Sequence, residues 1–180
     1  MSDLTDRINE LRLENRRLKQ QIEEFEKRVL ALVGNIVIES SGEGDNKELL
    51  NEKLIELIQT TQDQLNIVTP KIDDFYSIEL KRAAQRGIPI LLITRDRNVY
   101  DKKERRIYDE LKSTEGINVI NNPYVTYLLM FNNDLAIYSG GTLDRDELSR
   151  SVLIITTIKE VAKIKIIAEI FNIMLPSFMR

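Results

Sequence analysis

The chain has 180 residues, enough for one domain of ordinary size and an extension, and its formal net charge is −3. It contains no cysteine, which excludes disulfide bonds, thiolate catalysis and cysteine-ligated metal sites. Histidine is also absent, so the most common general base and neutral metal ligand is missing. From these exclusions we expect neither a cofactor nor a metal site.

Charge is unevenly distributed along the chain. Residues 1–34 carry seven basic and seven acidic side chains, whereas residues 81–112 carry ten basic and five acidic ones. The sequence therefore predicts one locally basic segment in an acidic protein. The charged N-terminus does not resemble a signal peptide, and no apolar run is long enough to cross a membrane. With abundant isoleucine, lysine and glutamate, this predicts a cytoplasmic protein from a thermophile.

The first segment, residues 1–34, has a heptad repeat of apolar residues. Its a and d positions are Leu4, Ile8, Leu11, Asn15, Leu18, Ile22, Phe25, Val29 and Leu32. β-Branched residues at a with leucine at d favour two parallel helices, and a buried Asn15 sets their register because its amide pairs only with its twin. The alternative is one amphipathic helix lying on its own domain, which usually shows a wider apolar stripe. We therefore predict a parallel dimeric coiled coil and a homodimer.

Residues 35–46 are predicted to be a linker with a short strand, and residues 47–180 an α/β domain. The predicted elements are strand Ile36–Glu39, helix Lys47–Gln62, strand Leu65–Thr69, helix Phe75–Gln85, strand Ile88–Thr94, helix Lys102–Lys112, strand Ile117–Ile120, a hairpin of Val125–Phe131 and Leu135–Tyr138, strand Ser151–Thr157 and helix Ile158–Met174. The uninterrupted apolar run Ile88–Thr94 is typical of a central parallel strand that is covered on both faces. We therefore predict a mixed, mainly parallel sheet with helices on both faces.

Three sequence segments of this domain resemble those of the phospholipase D superfamily: LNIVTP, LKRAAQRGIPILLITRD and LLMFNNDLAIYSGGT. In that family a His-x-Lys-x4-Asp motif, followed by Gly-Ser and Asn, cleaves phosphodiesters between two facing domains. The corresponding positions in this chain are Val125, Tyr127, Asn132, Ser139 and Thr142. The resemblance implies the family's fold and, because these motif residues are replaced, a pseudoenzyme without catalytic residues. It also implies that the clefts of two chains face one another.

A coiled coil followed by such a domain is similar to the archaeal transcriptional regulators of the TrmB type. Those regulators also have a winged helix, which we do not expect here because only Met1–Asp3 precede the heptads. The resemblance implies a non-catalytic homodimeric binding or scaffold module in transcription regulation, with DNA or a DNA-associated protein as its partner. A small-ligand sensor for sugar or phosphate and a structural adaptor that docks a protein partner are the alternatives.

Six basic residues are the candidate nucleic-acid or anion-binding group: Arg95, Arg97, Lys102, Lys103, Arg105 and Arg106. They follow the carboxyl end of the strand Ile88–Thr94, where open α/β sheets place ligands, and they could neutralise phosphates. Acidic residues are interleaved among them, so a solvated surface of paired charges is the alternative. The polar positions at Asn132, Ser139 and Thr142 could likewise hold an anion or serve as ordinary turn residues.

Overall fold

The computed structural model describes residues 7, 12, 14–25, 28–29, 35–42 and 44–176. The chain divides into two compact units, Met1–Asn35 and Ile36–Arg180. In the first unit the described residues are helical apart from the turn at Asn35, and 14–25 is the longest continuous stretch. The second unit is an α/β domain.

The domain contains one sheet of seven strands in the order β1-β7-β6-β5-β2-β3-β4. The strands are β1 (Ile36–Ser41), β2 (Leu65–Val68), β3 (Ile90–Thr94), β4 (Ile117–Asn121), β5 (Leu128–Phe131), β6 (Ala136–Ser139) and β7 (Leu153–Ile158). The helices are α1 (Leu49–Thr60), α2 (Asp74–Gln85), α3 (Lys102–Ser113), α4 (Arg145–Arg150) and α5 (Val161–Ile173). Helix α4 was not among the predicted elements.

The sheet is mixed, as predicted, but its parallel pairs are confined to one side. Strands β2, β3 and β4 pair in parallel, whereas β5, β6, β7 and β1 pair antiparallel. The prediction of a mainly parallel sheet with β3 at its centre is therefore wrong, because β3 is next to the edge strand β4. The apolar run of β3 reflects burial on both faces rather than a central place in the strand order.

The segment predicted as a linker belongs in part to the sheet. Strand β1 pairs antiparallel with β7 along its whole length, with Ile36 opposite Ile158 and Ser41 opposite Leu153. The turn that follows contains Gly42 at φ 94°, where a Cβ would lie 2.2 Å from the carbonyl oxygen of Ser151. We therefore propose that the α/β domain starts at β1 rather than at residue 47.

Helices cover both faces of the sheet, because side chains alternate between the faces along each strand. Ile67, Leu92 and Met130 point to the first face and pack under α1, α2, α3 and α4. Val68 and Ile93, each next to one of these residues in sequence, point to the second face, which α5 covers. Two hydrophobic cores therefore hold the domain together, one on each side of the sheet.

Aspartate side chains cap the N-termini of three of these helices. Asp73, Asp101 and Asp144 each accept a hydrogen bond from a backbone N–H in the first turn of α2, α3 and α4. At α3 the cap is reciprocal, because Glu104 accepts in return from the backbone N–H of Asp101. These caps set where each helix leaves the edge of the sheet.

Candidate functional site

A cleft of about 430 Å³ lies at the edge of the sheet where β2, β3 and β6 end and β5 begins. Its lining residues are Pro70, Lys71, Arg95, Val99, Tyr100, Glu104, Thr126, Gly141, Thr142 and Glu147. The carboxyl ends of parallel strands are where open α/β sheets bind ligands. The cleft is thus in the expected place, and four separate parts of the chain build it.

Lys71 follows the strand β2 after Thr69 and Pro70, and two carboxylates contact it. Its ammonium lies 3.2 Å from Asp144 and 3.1 Å from Glu147. Burial alone would lower the pKa of Lys71, but the hydrogen bonds to Glu147 and Asp144 outweigh it and raise the pKa. Lys71 therefore stays charged, and its charge is already balanced within the protein.

Arg95 follows β3 and is held differently. Its Nε donates to the carbonyl oxygen of Val125 at 3.0 Å, and the side chain is half-buried. Among the described residues no carboxylate lies within 4.0 Å of its guanidinium, in contrast to Lys71. The backbone contact orients the guanidinium and leaves its terminal nitrogens without an anionic partner.

Thr142 lines the same cleft as a buried hydroxyl. The residue is 8% exposed, and its Oγ1 has no hydrogen-bond partner among the described residues. Leaving such a group unsatisfied costs about 1–3 kcal/mol, so it is a position where a ligand atom would be favourable. Of the five motif positions taken from the family resemblance, Thr142 is the one that lines this cleft.

The floor of the cleft is rigid because Tyr100 is anchored. Its hydroxyl donates to the carbonyl oxygen of Pro70 at 2.7 Å and shares a hydrogen bond with Thr94 Oγ1 at 2.6 Å. Its ring lies 6.0 Å from that of Tyr108, and burial raises the pKa of the Tyr100 hydroxyl. Tyr100 is therefore a neutral, fixed part of the cleft floor between the ends of β2 and β3.

The other motif positions have structural contacts elsewhere. Val125 is 1% exposed in the second core, and the hydroxyl of Tyr127 lies 3.4 Å from the sulfur of Met174. Ser139 donates to the carbonyl oxygen of Ile154 at 2.8 Å. These three side chains do not line the cleft.

Asn132, the fifth motif position, is the turn residue of the β5–β6 hairpin. Its Oδ1 accepts from the backbone N–H groups of Asp134 and Leu135, and its Nδ2 donates to Thr61 at 3.1 Å. Both the oxygen and the nitrogen of the Asn132 amide are therefore hydrogen-bonded within the domain. Asn132 therefore stabilises the turn at the end of the sheet opposite the cleft.

The basic segment does not form one cluster. Arg95 belongs to the cleft, whereas the other five residues lie on or just before α3. Four of these five line a groove of about 720 Å³: Arg97, Lys102, Arg105 and Arg106. Arg97 donates twice to Asp109, both at 2.7 Å. Lys103 and Arg106 lie 3.0 and 2.9 Å from Asp74, and the Lys103 hydrogen bond holds the pKa of Asp74 below its ordinary value. These three cations are therefore paired within the domain.

Two cations of α3 are not paired in this way. Lys102 and Arg105 are exposed, and in the described part of the chain neither has a carboxylate within 4.0 Å. Arg105 donates to the carbonyl oxygen of Asn98 at 3.2 Å, which orients it along the groove. The unneutralised basic surface is therefore smaller than the sequence suggested.

The predicted dimerisation stripe is only partly described. Leu4, Ile8, Leu11 and Leu32 lie outside the described residues. Leu18, Ile22, Phe25 and Val29 are helical and 51%, 57%, 70% and 42% exposed. Asn15, which precedes Leu18 by about one turn, is also helical and exposed. Among the described residues these apolar side chains therefore remain largely uncovered along the stripe that the heptad spacing predicts.

Neither a metal-binding group nor a membrane span is found in the described residues. No three acidic side chains there are arranged to hold a metal ion. No helix in the same part of the chain is both long and apolar enough to cross a bilayer.

Lys71 was missed by sequence reasoning, although a signal was present. It stands one residue beyond Pro70 at the end of an apolar strand, the same type of position that singled out Arg95. The sequence did not show that the loop after β6 would come to the same edge, because that depends on β5 and β6 pairing antiparallel.

No family model matches the chain, and no curated protein resembles it in sequence. Solved structures do share its fold. NucT from Helicobacter pylori superposes with a TM-score of 0.65 at 12% identity, covering 77% of this chain and 95% of that one. Nuc from Salmonella typhimurium, a phospholipase D family member, superposes with a TM-score of 0.63 at 11% identity, covering 77% and 92%. The phospholipase D-like fold is therefore confirmed.

A third solved structure extends further along the chain. TrmBL2, described as an archaeal chromatin protein with a novel mode of DNA binding, has a TM-score of 0.55 at 14% identity. The match covers 95% of this chain and 64% of that protein, so this chain spans less than two thirds of its length. A match of that extent includes residues of both units. At such low identity these likenesses show the fold alone.

The comparisons also correct one prediction. We predicted from the absent histidine and the replaced motif that the chain is not an enzyme. That prediction is wrong, because the solved structures with this fold include a phospholipase D family member, and the architecture is therefore one that enzymes use. What remains is a statement about composition: any chemistry in this cleft uses residues other than histidine.

Proposed function

We propose that this chain is a DNA-associated homodimeric module of a regulatory kind. Its N-terminal helix pairs with that of a second copy, and α3 of the phospholipase D-like domain contacts the phosphate backbone. We propose further that Val125 and Tyr127 replace the family's histidine and lysine in this chain. The observation that carries the proposal is the match to a DNA-binding chromatin protein across both units of the chain.

The charge pattern on α3 supports a contact with DNA. Lys102 and Arg105 are exposed and free of carboxylate partners in the described part of the chain, and both line the groove of about 720 Å³. Exposed, unpaired cations release counterions when they neutralise phosphates, whereas paired ones must first break their ion pairs. We therefore assign the DNA contact to Lys102 and Arg105 rather than to Arg97, Lys103 or Arg106.

The exposed apolar stripe supports dimerisation. Leu18, Ile22 and Phe25 follow the a and d spacing and are more than half exposed in the single chain. A second copy of the same helix would bury them in a parallel pair, with Asn15 opposite its twin. We expect sedimentation equilibrium to give twice the chain mass, and the double variant Leu18→Glu/Ile22→Glu to give the mass of one chain.

Binding of a fluorescent DNA duplex across a salt series tests the DNA proposal. We expect the logarithm of affinity to fall linearly with the logarithm of salt concentration. The double variant Lys102→Glu/Arg105→Glu should bind more weakly and reduce the slope by about two, one for each lost phosphate contact.

Lys163→Glu/Lys165→Glu is the matched control. It makes the same change in net charge on exposed residues of α5, on the opposite face of the sheet. Equal loss of affinity in both double variants would mean that net charge, not the α3 surface, governs binding. Absence of binding at low salt would overturn the proposal. Because the fold occurs in enzymes, the same samples are run on a denaturing gel, where strand cleavage would add hydrolysis to binding.

A further inference from the structure

We propose that the edge strand β1 is a second contact between two copies of this chain, and that it pairs antiparallel with β1 of the other copy across a two-fold axis. The sheets of the two α/β domains then join edge to edge. The inference rests on the proposed homodimer, because pairing of the N-terminal helices supplies the second copy. It goes beyond that proposal by assigning part of the interface to the α/β domain.

Strand β1 lacks the features that usually prevent an edge strand from pairing with another chain. It is six residues long, pairs with β7 without a bulge, and contains neither lysine nor proline. Its one charged residue, Glu39, is bound by Lys53, whose ammonium lies 2.9 Å from the carboxylate. In the described part of the chain no strand other than β7 pairs with β1. The backbone groups on its outer side can therefore bond to another strand.

The opposite edge of the sheet, β4, is built differently. The exposed residues of β4 are asparagines, Asn118 and Asn121. The exposed apolar residues of β1 are Ile36, Val37 and Ile38, and Ile38 is 70% exposed. Isoleucine and valine are favoured in paired strands, whereas asparagine is uncommon there. Of the two edges, β1 is therefore the one suited to a partner strand.

Two copies of β1 complement each other in one register. A two-fold axis normal to the sheet keeps the two faces aligned, so directly opposite residues share a face and the axis passes through a residue. With the axis at Ile38, residues 36–40 of each strand pair, Ile38 lies opposite its twin, Val37 faces Glu39, and Ile36 faces Ser40. An axis at Glu39 would place two carboxylates opposite each other, which is unfavourable. An axis at Val37 would pair only residues 36–38 of the strand.

Chain connectivity favours a second copy over an unrelated protein as the partner of this edge. Strand β1 begins at Ile36, directly after the first unit ends at Asn35. Pairing of two N-terminal helices therefore tethers two β1 strands at a high effective concentration, which strengthens a contact that would be weak alone. The edge contact is thus a consequence of the helix pair and also reinforces it.

Because the chain contains no cysteine, single cysteine variants of the full chain test the register by disulfide cross-linking. Directly opposite residues of an antiparallel pair have Cα atoms about 4.5–5.5 Å apart, within the roughly 4.4–6.8 Å that a disulfide spans. We expect Ile38→Cys to form a covalent dimer under mild oxidation, measured on a non-reducing gel. The yield should be unchanged on dilution, because the bond forms within an existing dimer.

Ser40→Cys is the matched control, since Ser40 is also exposed on the same face of β1. In the proposed register Ser40 lies about 13 Å along the strand from its twin, so it should cross-link far less. Equal cross-linking of both variants, or none in Ile38→Cys, would overturn the edge contact. Asn15→Cys reports on the helix pair separately. Cross-linking in Asn15→Cys without any in Ile38→Cys would overturn the edge contact and leave the homodimer standing.

Ile38→Lys tests how much the edge contact contributes to the dimer. It places two ammonium groups opposite each other and should raise the dissociation constant of the dimer roughly tenfold or more, as measured by sedimentation equilibrium. Ile78→Lys, on a residue of α2 that is 46% exposed, makes the same substitution away from β1 and should leave that constant unchanged. An unchanged dissociation constant in Ile38→Lys, with the circular dichroism of the folded chain retained, would overturn the proposal.

Discussion

The two faces of the sheet are covered to different extents. Four helices pack on the first face, where Leu54, Leu57 and Ile67 are fully buried. In the described part of the domain one helix, α5, packs on the second face. There Ile38 and Ile154, on the strands β1 and β7, are 70% and 69% exposed. The difference indicates that the first face supplies most of the stability, whereas the second retains apolar surface.

Helix α5 repeats this contrast on a smaller scale. Ile164 and Phe171 are buried against the sheet, and Phe171 meets Phe131 edge to face at 5.3 Å. Ile166 and Ile170, on the other side of the helix, are 50% and 53% exposed. The nearly continuous apolar sequence of α5 therefore exceeds what its own core requires, a pattern that marks surfaces used in contacts.

We expect the largest difference in the free energy of unfolding between the two faces when one side chain is shortened on α1 and one on α5. Leu54→Ala on α1 empties a fully buried position and should lower the free energy of unfolding by about 3–4 kcal/mol. Ile170→Ala on α5 removes a half-exposed side chain and should cost less than about 1 kcal/mol. Urea unfolding followed by circular dichroism measures both. Equal losses would mean that α5 is buried in solution, as it would be under a partner.

A buried polar network adds to the stability of the first face. The Tyr76 hydroxyl donates to Asn51 Oδ1, and the Asn51 amide in turn donates to Ser149 Oγ at 3.0 Å. Burial raises the pKa of Tyr76, so its proton stays in this bond at any ordinary pH. The network joins α1, α2 and α4 through side chains that are buried.

Tyr76→Phe should lower the free energy of unfolding by about 1–2 kcal/mol, because Asn51 keeps a buried oxygen without its donor. Tyr124→Phe, which removes a hydroxyl from a residue 86% exposed, is the control and should change little. Urea titration of the two variants gives the difference. A loss as small in Tyr76→Phe as in the control would show that water reaches Asn51.

The ion pair beside the cleft should make stability depend on pH. Burial alone would raise the pKa of Asp144, but the Glu147 backbone N–H and the Lys71 ammonium outweigh it and hold the pKa below its ordinary value of 3.8. A lowered folded-state pKa adds stability above the unfolded pKa, and that stability is lost as the pH falls through the folded value. The affected window is therefore below about pH 4.

Asp144→Asn keeps the helix cap and removes the charge, so it isolates this effect. At neutral pH the variant should unfold more easily by less than about 1 kcal/mol, since both partners are partly exposed. As the pH falls below 3.8 the difference from the unchanged protein should vanish. Urea unfolding at several pH values gives the curve, and a difference that persists at the lowest pH would exclude the ion pair as its source.

Local periodicity was sufficient to predict most elements of the domain. The strand Ile90–Thr94 and the hairpin around Asn132 follow from runs of apolar residues broken by turn residues, and these depend on neighbours in sequence. The start of α3 follows from Asp101, whose side chain caps the helix. Such features depend on short stretches of sequence, so they can be predicted without knowing the fold.

Long-range pairing could not be predicted in the same way. A short strand at Ile36–Glu39 was predicted within a linker, but its place in the sheet was not, because its partner, Leu153–Ile158, lies more than a hundred residues away. Helix α4 is six residues long, too short to show a helical period. Arg95 and Thr142 were placed in two different candidate sites, and antiparallel pairing of β5 and β6 brings them to one cleft.

Two neighbouring positions on β7 allow the closest comparison of how much each face of the sheet contributes to stability. Ile154 points to the second face and is 69% exposed, whereas Ile155 points to the first face and is fully buried. Ile154→Thr preserves the branched side chain that strands favour and should change the free energy of unfolding by less than about 0.5 kcal/mol. Ile155→Thr places a hydroxyl in the core and should cost about 2–3 kcal/mol.

The pair of variants also distinguishes a free surface from a docking surface. If Ile154 is solvated in solution, Ile154→Thr leaves both stability and the sedimentation mass unchanged. If a second copy covers the β1–β7 side of the sheet, the same substitution lowers the midpoint of urea unfolding in a way that depends on protein concentration. The exposed isoleucines would then form part of the dimer contact, together with the stripe on the N-terminal helix.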